Sequence, residues 1–136
     1  MPIEWVLYDF VNDRGENEIA AWSRCLQKDQ RAKLNAKLDM LARVGMVLQG
    51  GILAGPLPND SGNATPIYKL KIRGNVQLRP MLCRGPIENN GEFTLLLGTI
   101  EVGNQLVPIN AVSIAAEKRE QILRDGHRRC PHERTS

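Results

Sequence analysis

The predicted fold depends on the stretch Tyr68-Lys69-Leu70-Lys71-Ile72-Arg73, which is followed by Val76-Gln77-Leu78-Arg79. Side chains of a β-strand alternate between its two faces with a period of two. Alternation therefore places the apolar residues of both segments on one face, and a short turn at Gly74-Asn75 returns the chain as a hairpin. The result is a cationic surface on a hydrophobic layer, which suits a polyanion such as RNA. The polar face carries Lys69, Lys71, Arg73, Gln77 and Arg79.

The composition indicates one small domain from a reducing compartment. The chain has 136 residues, of which 42% are hydrophobic, and a formal net charge of +3. That length is typical of a single core, and the mildly basic balance permits nucleic acid as a partner. The three cysteines, Cys25, Cys83 and Cys130, are odd in number and far apart. They imply no disulfide framework, so a cytoplasmic location is expected.

No targeting or membrane segment is expected either. The start of the chain, Met1–Trp5, lacks the basic region and the apolar run of a signal peptide. No apolar stretch reaches the length that spans a bilayer.

The order of predicted elements is a strand, two helices, three strands and a helix. The first strand is Ile3 to Phe10, and the last strand is the very apolar segment Phe93–Gly98. This order predicts an α+β domain over residues 1–126, followed by a basic polar tail over 127–136 that is expected to be mobile. On the second helix, the predicted solvent-facing residues are Arg31, Lys33, Lys37 and Arg43.

Several short segments, together with this order, carry a family resemblance over about Glu4 to Asp125. The two helices are joined at Leu26-Gln27-Lys28-Asp29-Gln30-Arg31-Ala32-Lys33, and the second ends at Asp39-Met40-Leu41-Ala42-Arg43-Val44-Gly45. An aromatic residue precedes the alternation in Ile67–Arg73, and Leu78-Arg79 follows in the next strand. These features resemble the RelE/HigB/ParE toxin superfamily and are most similar to phage-derived HigB-like proteins.

The resemblance implies a RelE-like fold, in which two N-terminal helices and a C-terminal helix pack on a small antiparallel sheet. It also implies the toxin of a type II toxin–antitoxin system, an endoribonuclease that cuts mRNA in the ribosome and inhibits translation. The implied partners are the ribosome, mRNA and a helix-turn-helix antitoxin that forms a hetero-oligomer with the toxin. Two alternatives remain open: an inactive RelE-fold protein that binds nucleic acid or an antitoxin, and a ParE-like inhibitor of DNA gyrase.

The resemblance also assigns site residues. In this type of cleavage the RNA 2′-hydroxyl attacks the neighbouring phosphate, so cations are needed where charge develops. Arg73 and Arg79 are expected to grip the phosphate in two-point fashion. Lys71 is the expected base, because neighbouring positive charge favours the neutral form of an amine. The implied catalytic residues are Lys71, Arg79, Lys69 and Arg73, and the implied RNA contacts are Lys69, Arg73, Gln77 and Arg84.

The acid–base half of this site is incomplete in the sequence. Gly98-Thr99-Ile100-Glu101 stands where the family often has a further cation, and no tyrosine follows Tyr68. The remaining candidates for the general acid are Glu101, Cys83 and the two histidines of the tail, and none is preferred over the others. The tail pattern His127-x-x-Cys130-x-His132 offers three metal donors but no fourth, so neither a metal nor a cofactor is predicted.

Overall fold

A computed structural model describes residues 4–136, so the start of the predicted first strand at Ile3 lies outside the described residues. The helices are α1 (Glu18–Arg24), α2 (Lys28–Val44) and α3 (Ala111–Arg124). The strands are β1 (Val6–Phe10), β2 (Leu53–Ala54), β3 (Ile67–Leu70), β4 (Gln77–Leu78), β5 (Met81–Arg84), β6 (Glu92–Leu97), β7 (Ile100–Val102), β8 (Gln105–Val107) and β9 (Arg129–Pro131). The α+β class is confirmed. Within the described part of the chain, no helix combines the length and apolarity needed to cross a membrane.

The main sheet is mixed, which corrects the expectation of an antiparallel sheet. Its six strands lie in the order β2-β3-β5-β6-β1-β9. Strand β1 runs parallel to β6, whereas β3, β5 and β6 pair in antiparallel fashion. The parallel pair arises because the chain leaves β1 through α1 and α2 and later re-enters the sheet beside it in the same direction. Strands β4, β7 and β8 form a second, three-stranded sheet.

The helices cover both faces of the main sheet. Neighbouring residues of one strand, such as Leu95 and Leu96, belong to different hydrophobic clusters, as alternation requires. The cluster of Leu95 includes Leu34 and Leu38 of α2, whereas the cluster of Leu96 includes Ala115 of α3. Burying each of these leucines contributes about 1.5–3 kcal/mol. The strongly apolar β6 therefore lies centrally and is covered on both sides, as predicted.

The basic hairpin forms, but its two arms belong to different sheets. Strand β3 ends at Leu70, and its partner in the main sheet is β5. The two arms are joined by a single bridge in which the backbones of Ile72 and Leu78 exchange hydrogen bonds of 3.0 Å. The predicted apolar face is confirmed, because Tyr68, Leu70, Ile72 and Leu78 are buried in one cluster.

The polar tail is built into the fold, so the expectation of a mobile segment is wrong. Strand β9 extends the main sheet by pairing with β1 in antiparallel fashion. The fully buried carboxylate of Asp9 accepts hydrogen bonds from Asn17 Nδ2 (2.8 Å), His132 Nδ1 (2.8 Å) and the Glu133 amide (2.9 Å). Asn35 of α2 donates to the carbonyl oxygen of Thr135 at 2.7 Å. The tail is polar in sequence, and hydrogen bonds to β1 and to the helical part of the chain hold it against the fold.

Candidate nucleic-acid interface

A cationic cleft lies where the hairpin leaves the main sheet. Lys71 and Arg73 line it from the hairpin, Lys37 from α2, and residues 50–52 from the loop before β2. The Lys71 amide donates to the carbonyl oxygen of Ile52 at 2.7 Å, which fixes the loop against the hairpin. The cleft has a volume of about 480 Å³.

Lys33 adds a fourth cation beside this cleft, at the hairpin turn, although it is not among the residues that line it. It lies four residues before Lys37 on α2, so both side chains emerge on one side of the helix. The Lys33 ammonium lies 3.0 Å from the position that a Cβ atom would occupy at Gly74, the turn of the hairpin. We therefore define the cationic cleft by Lys33, Lys37, Lys71 and Arg73.

The four cations of the cationic cleft have no counter-ion in residues 4–136. None of them forms an ion pair or a side-chain hydrogen bond with a described residue. No carboxylate is among the residues that line the cleft. Unpaired cations held close together by a helix and a hairpin raise the local positive potential and favour a bound anion.

The other two predicted catalytic residues lie in a different environment, which we call the Glu101 cluster (Lys69, Arg79 and Glu101). A single oxygen, Glu101 Oε1, lies 3.8 Å from Lys69 Nζ and 3.5 Å from Arg79 Nε. Glu101 belongs to β7, which pairs with β4 next to Arg79. The carboxylate therefore offsets both positive charges.

Arg79 is a buried structural residue. Only 6% of it is exposed, and its Nη1 donates to the carbonyl oxygens of Leu78 (2.9 Å) and Ile72 (3.4 Å). Its Nη2 donates to Gln77 Oε1 at 3.4 Å. The contact between Arg79 Nε and Glu101 lacks hydrogen-bond geometry, so that buried N–H has no partner among the described residues. These contacts hold the bridge between the hairpin arms and leave little of the guanidinium accessible to RNA.

Gln77 and Arg84, which were predicted to contact RNA, also lie outside the cationic cleft. Gln77 Nε2 donates to the carbonyl oxygen of Gly74 at 2.9 Å, so this side chain stabilises the hairpin turn. Arg84 follows Cys83, which pairs with Ile67 at the start of β3. It therefore lies at the opposite end of the main sheet from Arg73.

None of the candidates for the general acid reaches the cationic cleft. The Cys83 thiol is fully buried against α3, and this burial raises its pKa to about 12. Glu101 is engaged by Lys69 and Arg79. His132 follows β9, at the edge of the main sheet farthest from β2. His127 lies just before β9 and contacts Asp125.

Sequence reasoning missed two members of the cleft, Lys33 and Lys37. It placed both on the solvent side of a helix but not beside the hairpin. Their spacing of four residues was a visible signal of a shared face. What brings that face to the hairpin is the packing of α2 on the main sheet, which the spacing alone does not reveal.

Comparison of the chain with family models, with curated proteins and with solved structures found no match in any of the three.

Proposed function

We propose that this chain binds RNA through the cationic cleft and acts as the toxin of a type II toxin–antitoxin pair, cutting mRNA on the ribosome. The observation that carries the proposal is the group of four cations without a counter-ion, mounted on α2 and the hairpin. A phosphate backbone offers regularly repeated negative charge, which such a surface binds with a strong dependence on salt. The endonuclease activity and the toxin role rest on the family resemblance.

Within this proposal, Lys71 and Arg73 are the catalytic residues. Arg73 is exposed and presents a planar guanidinium that can donate two hydrogen bonds to one phosphate. It would stabilise the charge that develops as the 2′-hydroxyl attacks and the 5′-oxygen leaves. Lys71, with Arg73 and Lys37 around the same cleft, is the proposed base. Lys69 and Arg79, which share the carboxylate of Glu101, have no role in the cleavage.

The proposed partners follow from the same role. A cytoplasmic toxin that acts on ribosomes requires an antitoxin, and we expect a small helix-turn-helix protein that forms a hetero-oligomer with this chain. An adjacent reading frame that encodes such a protein would support the toxin role.

A second candidate is a RelE-fold protein that binds RNA or an antitoxin without cutting. One observation favours it, namely that no histidine, tyrosine, cysteine or carboxylate is among the residues lining the cationic cleft. In that case the cleft binds an anion and lacks a group to protonate the leaving oxygen.

Controlled expression in bacteria, with primer extension on cellular mRNA, distinguishes the toxin from the protein that binds without cutting. The proposal predicts growth arrest and new 5′ ends. It also predicts that the double variant Lys71→Ala/Arg73→Ala loses both effects, while the matched variant Lys69→Ala retains them. Growth arrest without new 5′ ends would exclude the nuclease activity and favour the protein that binds without cutting. Full cleavage by the double variant refutes the assignment of the site.

A further inference from the structure

A second cationic pocket lies at the opposite end of the main sheet from the cationic cleft. It has a volume of about 490 Å³, within the range of small-molecule sites. Its walls come from the start of β3, the end of β5, the loop before β6 and helix α3, and no carboxylate is among the lining residues. We call it the arginine pocket, and the residues that matter here are Pro66, Tyr68, Arg84, Asn90 and Arg119.

Arg84 is fixed in place on one side of the pocket. Its Nε donates to the carbonyl oxygen of Asn89, and its Nη2 donates to Asn90 Oδ1 at 2.7 Å. The guanidinium carbon also lies 5.5 Å from the centre of the Trp5 ring, within the range of a cation–π contact. These contacts leave Nη1 as a donor that a ligand can use. Because the side chain is already ordered, binding a ligand costs little further entropy.

Arg119 carries a buried donor without a partner. Its side chain is 20% exposed, and Nη1 lies 3.3 Å from the largely exposed Glu120 carboxylate. The Nε–H, by contrast, is shielded from solvent and hydrogen-bonds nothing among residues 4–136. An unmet buried donor costs about 1–3 kcal/mol, so a ligand in the pocket would gain from a small shift of the side chain that brings this N–H within reach.

Tyr68 completes the donor set. Its ring packs in the core, and the residue is only 9% exposed. The residue nevertheless lines the pocket, and its hydroxyl hydrogen-bonds no residue within 4–136. Two arginines and a tyrosine therefore line one space, beside the rigid ring of Pro66.

We propose that the arginine pocket binds a phosphate monoester, with a mononucleotide as the class of ligand. Two arginines match the charge and the several acceptor oxygens of a phosphate group. The Tyr68 and Pro66 rings offer apolar surface to the ribose or base, and the volume accommodates a mononucleotide. This site is separate from the cationic cleft, so it does not depend on the proposed function. Arg84 thus belongs to a small-molecule site distinct from the RNA surface.

The test is a nuclear magnetic resonance titration of the ¹⁵N-labelled protein with inorganic phosphate and, separately, with adenosine monophosphate at constant ionic strength. The Nε–H signals of Arg84 and Arg119 report directly on the pocket. We expect both signals to shift in a saturable way, with tighter binding of the nucleotide. Equal affinities for the two probes would refute the mononucleotide as the ligand class.

Three variants sharpen the test. Arg119→Lys keeps the charge but removes the unpartnered Nε–H, and we expect about tenfold weaker binding. Tyr68→Phe preserves the core ring, and we expect about threefold weaker binding. Arg124→Gln, on the same helix, is the matched control and should bind as the wild type does. Backbone spectra establish that each variant is folded. Absence of a saturable shift in the wild type, or wild-type affinity in Arg119→Lys, overturns the proposal.

Discussion

Lys71 and Arg73 line a cleft with no carboxylate, whereas Lys69 and Arg79, on the same hairpin, share the carboxylate of Glu101. The four residues have the same charge, and simple alternation along the hairpin places all four on one face. Their surroundings differ because the chain passes from the main sheet to the small sheet between Leu70 and Gln77. A cation with an internal counter-ion stabilises the fold, and a cation without one remains available to a ligand.

The difference also explains why one basic residue of the hairpin is buried and structural while others remain exposed to solvent. Arg79 is enclosed by backbone carbonyls, and placing its charge there requires a nearby anion. Lys71 and Arg73 keep contact with solvent, so their charges do not require a nearby anion.

The largest expected effect is on stability. Arg79→Ala removes three hydrogen bonds and the buried cation that faces Glu101, so we expect the free energy of unfolding to fall by about 3 kcal/mol. Chemical denaturation measures it. Arg73→Ala, the matched change on the exposed side, should stay within about 0.5 kcal/mol of the wild type. Equal losses in both variants would remove the distinction between the two environments.

The next effect is on RNA affinity. We expect the charge reversal Lys71→Glu/Arg73→Glu to weaken binding of a single-stranded RNA by about 30-fold, since it places anions in the cleft that faces the phosphates. Fluorescence anisotropy measures the affinity. Arg14→Glu/Arg124→Glu changes the net charge equally at two exposed ion pairs elsewhere. A comparable loss in that control would mean that only total charge matters.

Glu101→Gln tests the Glu101 cluster. Without the carboxylate, the buried Arg79 lacks its counter-charge, and we expect a loss of about 1 kcal/mol in the free energy of unfolding. Lys69 is released at the same time, so RNA affinity should rise about twofold. Denaturation and anisotropy on the same variant check both effects. Unchanged stability together with unchanged affinity would show that Glu101 restrains neither cation.

The smallest effects concern the two residues of α2. We expect Lys33→Gln and Lys37→Gln each to weaken RNA binding about twofold to threefold, because each removes one long-range attraction to the phosphates. Arg43→Gln, near the end of the same helix, is the control and should leave the affinity unchanged. A loss in Arg43→Gln as large as in the other two would place the RNA along the whole helix instead.

The sequence predicted the α+β class, the three helices in their order and the apolar face of the hairpin, because these follow from the period of hydrophobic residues. It also predicted the central place of Phe93–Leu97. It missed the strands β2, β7, β8 and β9. Alternation assumes one continuous strand, whereas strand β3 ends at Leu70. It therefore did not predict that the basic residues of the hairpin divide between the cationic cleft and the Glu101 cluster.

Two further features depended on contacts between residues far apart in the sequence. The polar tail looked mobile because its partners, Asp9, Asn17 and Asn35, lie more than ninety positions away. The pairing of Glu101 with Arg79 and Lys69 requires the register of the small sheet, which no local pattern specifies. The residues were visible in the sequence, but their partners were not.

The salt dependence of RNA binding tests the central claim most directly, namely that the cationic cleft, and not the Glu101 cluster, contacts the phosphates. Each cation that contacts single-stranded RNA contributes about 0.7 to the slope of log affinity against log salt concentration. We predict that Lys71→Gln lowers the magnitude of this slope by about 0.7 and that Lys69→Gln leaves it unchanged. A wild-type slope in Lys71→Gln, with a reduced slope in Lys69→Gln, would contradict the claim.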